Sequence, residues 1–355
     1  MSPRDDAYVP TGTILAPELP FLESRNSLLW PARCPPANQR LPLADSLRQL
    51  RRAITEGAIR RAIEATASLP IGPQRSSVRR MVALVGGIPM LRRKVRENMR
   101  LALGDDLPVR VEHRYFQHVA WFLSSSLATF HRGLAATPVV DEVKFDRTIS
   151  VLDDAFAEGR GVVLTVPHWS GHELVAAVIA RRHPMVMLVR QASTPDRASR
   201  KEKWYRALGA ETVLRPKHAS TIKDAVAYLK VLKRGKMLAI TPDLLADPGQ
   251  GVEISIFGRP ARFNGGAFAL AIAAGAPMIR VSGVWQPDSS VILTFERAPP
   301  PPDSDDREAA IRACVQDWCR WFEDRLRANP ENWLFWLDKR WARFLRVTPR
   351  ASCQR

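Results

Sequence analysis

From Asp146 onward, short apolar runs alternate with longer stretches whose apolar positions recur about every third or fourth residue. The short runs are GVVLTV (161–166), PMVMLV (184–189), ETVL (211–214), KMLAIT (236–241), PMIRVSGVW (277–285) and SVILTF (290–295), mostly rich in β-branched residues, and they read as strands. Stretches 171–182, 197–208, 220–234 and 265–274 between them, and 305–328 after them, read as helices. That alternation predicts an α/β fold: a mostly parallel central sheet flanked by helices.

Upstream the pattern is helical. Between Asp45 and Ala67, Leu47, Leu50, Ile54, Ile59 and Ile63 fall near a helical period while Arg48, Arg51, Arg52, Arg60 and Arg61 fill the other positions. A basic amphipathic helix is expected, ended by Pro70 and Pro73. The run MVALVGGIPML (81–91) lies between Arg79 and Arg80 on one side and Arg92, Arg93 and Lys94 on the other. It is too short to cross a bilayer, and two readings stay open: an interfacial segment whose arginines reach lipid phosphates, or a core helix with a charged collar. Residues 110–134 form a further aromatic-rich helix. The prolines at 10, 17, 20, 31, 35, 36 and 42 mark 1–42 as a disordered leader. The organisation expected is that leader, a basic helical membrane-associating region over 43–94, an α/β domain over 95–345 and a tail over 346–355.

Charge narrows the partners. Lys and Arg number 53 against 36 Asp and Glu, giving +17, which suits a nucleic acid, an anionic membrane surface or an acidic carrier protein. A nucleic-acid binder would gather its cations with stacking aromatics in one module. Here the arginines are spread along the whole chain, so no nucleic-acid partner is expected; a nucleic-acid-binding or non-catalytic scaffold protein stands as the alternative. Cys34, Cys314, Cys319 and Cys353 are too dispersed for a disulfide framework. No window has the roughly 18 apolar residues of a spanning helix, and the N-terminus lacks the layout of a secretory signal. There is neither a G-x-G-x-x-G after a strand nor a Walker A sequence.

The chemistry concentrates in GVVLTVPHWSGHELVAAVIARR. A strand runs to Val166, Pro167 stops it, His168 falls in the loop and a helix begins near Gly171, placing His168 beyond a carboxyl strand end, where open α/β sheets bind ligands. Residues five apart on one helix diverge by about 140°, so His168 and Glu173 converge only with the histidine off the helix. The imidazole would then take a proton from a hydroxyl and Glu173 would orient it. Alternatively, Ser170 and Glu173 form a capping box. His168 and His172 lack the further ligands of a zinc site, so neither a metal nor another cofactor is expected.

Further blocks carry a resemblance. KVRENMRLALGDDLP (94–108) contains Asn98, MLAITPDLLADPG (237–249) contains Pro242-Asp243, and IFGRPARFNGGAFALAIAAGAPMIRV (256–281) places Gly266, Leu270, Ala271, Gly275 and Ala276 in order. NPENWLFWLDKRW (329–341) supplies Pro330, Glu331, Trp333, Trp336, Arg340 and Trp341. With H-x-x-x-x-E after a strand, these blocks resemble the lipid A biosynthesis late acyltransferases, within the glycerolipid acyltransferase superfamily. The resemblance implies a glycerol-3-phosphate acyltransferase-like domain over 95–345. It also implies transfer of an acyl group from acyl carrier protein or acyl-CoA to a hydroxyl of a membrane glycolipid at the cytoplasmic face of a bacterial inner membrane. His168 would be the general base, Glu173 its orienter, and Arg190, Arg206 and Asp243 substrate-binding residues. The sequence departs from the family in having no visible N-terminal spanning helix, so peripheral attachment is expected, and in carrying Val189-Arg190-Gln191 where a tyrosine-arginine-proline triplet is usual.

Overall fold

The computed structural model describes residue 61 and residues 64–192, 194–216, 222–247 and 249–347. The 1–42 leader lies outside these residues, as do most of the 45–67 helix, of which residues 61 and 64–66 are helical, and most of the 346–355 tail.

Two helices open the described chain, α1 (Ile71–Gly86) and α2 (Pro89–Leu103), followed by the long α3 (Val111–Arg132) and the single turn α4 (Val139–Glu142). Pro70 immediately precedes α1 and Pro73 sits in its first turn, where the missing N–H has no intrahelical acceptor to lose. The α/β region then runs β1 (Val143–Phe145), α5 (Ile149–Ala157), β2 (Val162–Thr165), α6 (His172–Ile179), β3 (Met185–Arg190), α7 (Pro195–Leu208), β4 (Glu211–Arg215), α8 (Ile222–Lys233) and β5 (Met237–Ile240). A hairpin of β6 (Val252–Ile256) and β7 (Arg259–Phe263) follows, then α9 (Gly266–Ala274), β8 (Met278–Trp285), β9 (Val291–Arg297), α10 (Arg307–Ala328) and α11 (Lys339–Arg346).

Seven strands form one sheet in the order β1-β9-β8-β2-β5-β3-β4. Strands β8, β2, β5, β3 and β4 are parallel, while β9 runs antiparallel to β8 and carries β1 beside it. The sheet is thus mostly parallel and flanked by helices, as the alternation of runs predicts. Each of the six predicted strands appears. Strand β1 and the β6–β7 hairpin are additions: β1 spans three residues, and the hairpin's exposed alternate positions dilute its apolar signal. Its two-residue turn, Phe257-Gly258, has φ of 52° and 66°, the mirror-type turn that matches strand twist.

The 81–91 run is not one buried helix. It is the corner where α1 ends and Pro89 starts α2. Val82 and Gly86 face inward, whereas Met81, Leu84, Val85, Ile88 and Met90 are exposed, Leu84 by 78% and Met90 by 72%. Burial of α1 uses its other side: Arg75 forks onto Glu142 (2.7 and 2.8 Å), whose Oε2 also accepts from the Trp121 indole (2.8 Å), tying α1 to α3 and α4.

The core beneath the carboxyl strand ends is aromatic. Trp318, Trp333, Trp336 and Trp341 are fully buried with Phe263 and Phe322, and Trp333 packs edge-on against Trp336 and Trp341 at centroid separations of 4.8 Å. Asn98 on α2 donates to the Trp336 carbonyl (2.6 Å), anchoring the chain's last described segment to the helical region.

Candidate active site

Strands β2 and β5 are neighbours, with Thr165 opposite Ile240. Three residues beyond each lies a chemically active side chain, His168 after β2 and Asp243 after β5, and the equal offset brings them together. Asp243 Oδ1 is 2.7 Å from His168 Nδ1, and Oδ2 accepts the His168 backbone N–H (3.0 Å) and the Trp333 indole N–H (2.8 Å). A buried carboxylate facing Nδ1 makes Nδ1 the protonated nitrogen and leaves Nε2 the basic one. The imidazole is 16% exposed and the carboxylate not at all.

Burial alone would raise the Asp243 pKa. The charge of His168, the hydrogen bonds from its ring and backbone and the Trp333 indole outweigh burial, and the carboxyl is held below its usual range. His168 stacks on Phe335 (centroids 4.3 Å apart) and lies 4.7 Å from the His172 ring. Burial, then the neighbouring His168, lower the His172 pKa to about 4, so His172 is neutral near pH 7.

The turn holding His168 is fixed from the chain's far end. Leu334 N–H donates to the His168 carbonyl (3.0 Å), Ser170 N–H donates to the Asn332 carbonyl (2.8 Å), and Trp169 bridges to Trp333. Helix α6 starts at Gly171, whose φ of 86° suits glycine. A Cβ there would lie 2.4 Å from the Trp121 ring, so glycine is required twice over.

The expected partnership of His168 with Glu173 is not what forms. Glu173 points from the first turn of α6 toward α7, where Trp204 Nε1 (2.8 Å) and the Tyr205 hydroxyl donate to it. Nor is the capping box made: α6 has no side-chain cap, and Ser170 Oγ donates to the Asn332 carbonyl (3.3 Å). Asp243 is likewise not open to a substrate, since burial and three donors occupy it. Arg190 ends β3 and is exposed, with Arg215 opposite it at the end of β4. Arg206 pairs with Glu202 along α7 (2.7 Å), its side chain 75% exposed. The indole of Trp333 is not among the site residues expected from the sequence; its membership of the last aromatic block, with Trp336 and Trp341, was the signal for it.

A family model described as bacterial lipid A biosynthesis acyltransferase matches residues 91–343. The chain belongs to this family. The protein is therefore an acyltransferase, and its family acts on an acyl donor and a lipid A-type acceptor. Comparison with curated proteins gave no match. Residues Asn98, His168, Asp243, Trp333 and Trp341 all fall within the matched span and converge on one end of the acyltransferase's sheet. Among the described residues, no helix is long and apolar enough to cross a membrane.

Proposed function

We propose that this acyltransferase moves a fatty acyl group from the thioester of acyl carrier protein or coenzyme A to a hydroxyl of a membrane glycolipid such as a lipid A precursor, with His168 as general base and Asp243 as its orienter. The observation that carries this reading is the 2.7 Å contact between a fully buried carboxylate and the inner nitrogen of a partly exposed imidazole. The acceptor oxygen attacks the thioester carbonyl as its proton passes to His168 Nε2. The tetrahedral intermediate collapses, the C–S bond breaks, and the imidazolium returns the proton to the departing thiolate. Asp243 stays ionised throughout, because Trp333 and the His168 backbone N–H already neutralise part of its charge.

Transfer is direct, without an acyl-enzyme. Ser170, the hydroxyl nearest in sequence, is committed to Asn332, and Cys319 is buried with its thiol pushed up out of reach of ionisation by that burial. We place the membrane against the α1–α2 corner, whose exposed Leu84, Val85, Ile88 and Met90 sit beside Arg92, Arg93 and Lys94. Replacing His168 by Ala should lower kcat by about 10²–10⁴ in a thioester-release assay. A kcat within about threefold of wild type would remove His168 from the mechanism.

A further inference from the structure

The β6–β7 hairpin lies outside the seven-stranded sheet, and its turn carries a residue that the turn itself disfavours. A mirror-type turn needs positive φ at both central positions, which suits Asn or Gly at the first. Phe257 stands there with φ of 52°. A bulky side chain in that conformation is strained, and such strain persists only where the surroundings hold it. On the backbone side, Glu323 of α10 accepts the Phe257 N–H (2.7 Å), and the Gln316 side chain exchanges two bonds with the Ser255 backbone (2.8 and 2.9 Å), fastening the hairpin to α10. On the other side the ring, only 7% exposed although it sits at a hairpin tip, packs on Trp333 (centroids 6.4 Å apart) and edge-on to Trp341 (6.0 Å).

Those two indoles are the ones that hold Asp243. Trp333 donates to Oδ2 (2.8 Å) and Trp341 to the main-chain carbonyl (3.3 Å). The base of the same hairpin reaches the same segment: Ala246 N–H donates to the Arg262 carbonyl (2.8 Å), Leu245 bridges to Phe263, and Phe263 packs edge-on to Trp341 (5.9 Å). The hairpin thus meets the Asp243 loop through backbone at one end and through two indoles at the other. We infer that Phe257 is a positioning residue for acyl transfer, its ring fixing the tilt of the Trp333 indole so that the N–H stays on the carboxylate facing His168. Asparagine would make the better turn but would leave the indole free to swing, and a buried carboxylate that loses a donor loses part of what holds it ionised and in place. The inference rests on the proposed roles of His168 and Asp243, and one of its readouts does not depend on turnover.

The test is Phe257→Asn, which puts the favoured Asn-Gly pair into the turn and deletes the ring, followed in the full chain with ¹⁵N-labelled tryptophan. The Trp333 indole N–H should exchange with solvent at least about tenfold faster than in wild type, while the indoles of Trp318 and Trp336, bonded to Thr165 and the Pro330 carbonyl, keep their rates. In a thioester-release assay kcat should fall about fivefold with KM within about twofold. In a Trp333→Phe background the same substitution should change kcat by less than about twofold, since no N–H is left to aim. Phe257→Leu fills the space without a flat ring and should give the same pattern, so that misfolding of the asparagine variant cannot decide the outcome. An unchanged Trp333 exchange rate, equal acceleration at Trp318 and Trp336, or the same loss of kcat with and without the Trp333 N–H would overturn the inference. A fully active His168→Ala would instead overturn the proposed function and leave the indole exchange rates as they are, so the two readings fail separately.

Discussion

Two carboxylates lie on either side of the turn after β2, and their surroundings differ. Glu173, five residues from His168 in sequence, accepts from Trp204 and Tyr205 and joins α6 to α7. Asp243, seventy-five residues away, is fully buried and holds the imidazole by ring and backbone. Both are satisfied by aromatic donors, but only Asp243 faces the base. Short sequence spacing suggests Glu173 as the neighbour of His168, but helix α6 turns Glu173 toward α7, and adjacency of β2 and β5 in the sheet brings Asp243 to the imidazole instead. The H-x-x-x-x-E string thus does not by itself say which carboxylate meets the histidine; the strand order does.

The strongest way to break this comparison is Asp243→Asn. An amide facing Nδ1 no longer enforces the tautomer with Nε2 basic, and kcat should fall by roughly 10²–10⁴. Full activity in that variant would return the orienting role to Glu173.

His172 sits within electrostatic reach of both carboxylates, and its effect appears in stability. Folded, it resists protonation until about pH 4, whereas an unfolded chain's histidine takes a proton near pH 6.5. The unfolded state therefore binds more protons between these values, and stability is full above about pH 6.5 and declines as pH falls toward 4. By pH 5 the loss is about 2 kcal/mol. Calorimetry should show that His172→Gln flattens the fall in Tm between pH 7 and 5; an unchanged slope would mean that His172 is solvated.

Trp333→Phe keeps an aromatic ring, though a smaller one, and deletes the indole N–H that Asp243 accepts. Loss of a hydrogen bond to a charged group of about 1.5 kcal/mol should lower kcat roughly tenfold. The control is Trp336→Phe, which removes an equally buried indole donor that serves the Pro330 carbonyl. Equal loss of kcat in the two variants would show that Trp333 acts through packing alone.

The smallest effect is expected at Glu173. In Glu173→Gln the amide can still meet both Trp204 and Tyr205, so kcat should stay within about threefold while urea denaturation shows a loss near 1 kcal/mol. A hundredfold drop in kcat would make Glu173 an equal partner in catalysis.

The strand pattern was legible because parallel strands covered on both faces are almost uniformly apolar, and β2 is buried at every position. His168 was legible because Pro167 separates it from β2 and Gly171 from α6. The partner of His168 was not, because the order of strands in a sheet is set by packing between distant segments. Asp243 stood out as a member of a Pro-Asp block, but nothing local told a ligand-binding aspartate from a buried one. The exposed corner at Gly87 was legible only as an apolar run, since a Gly-Gly-Ile-Pro break that ends one helix and starts another reads in sequence like a gap in one.

The bonds from Asn332, Trp333 and Leu334 to the His168 turn also set a timetable. During synthesis His168 emerges long before the segment that holds it, and at about 5–20 residues per second the interval is on the order of ten seconds. Through that interval the turn lacks its far-end contacts and Asp243 lacks the Trp333 indole. A growing chain thus carries His168 without the contacts that hold it, and the turn takes its final form only after residues 332–334 have been made.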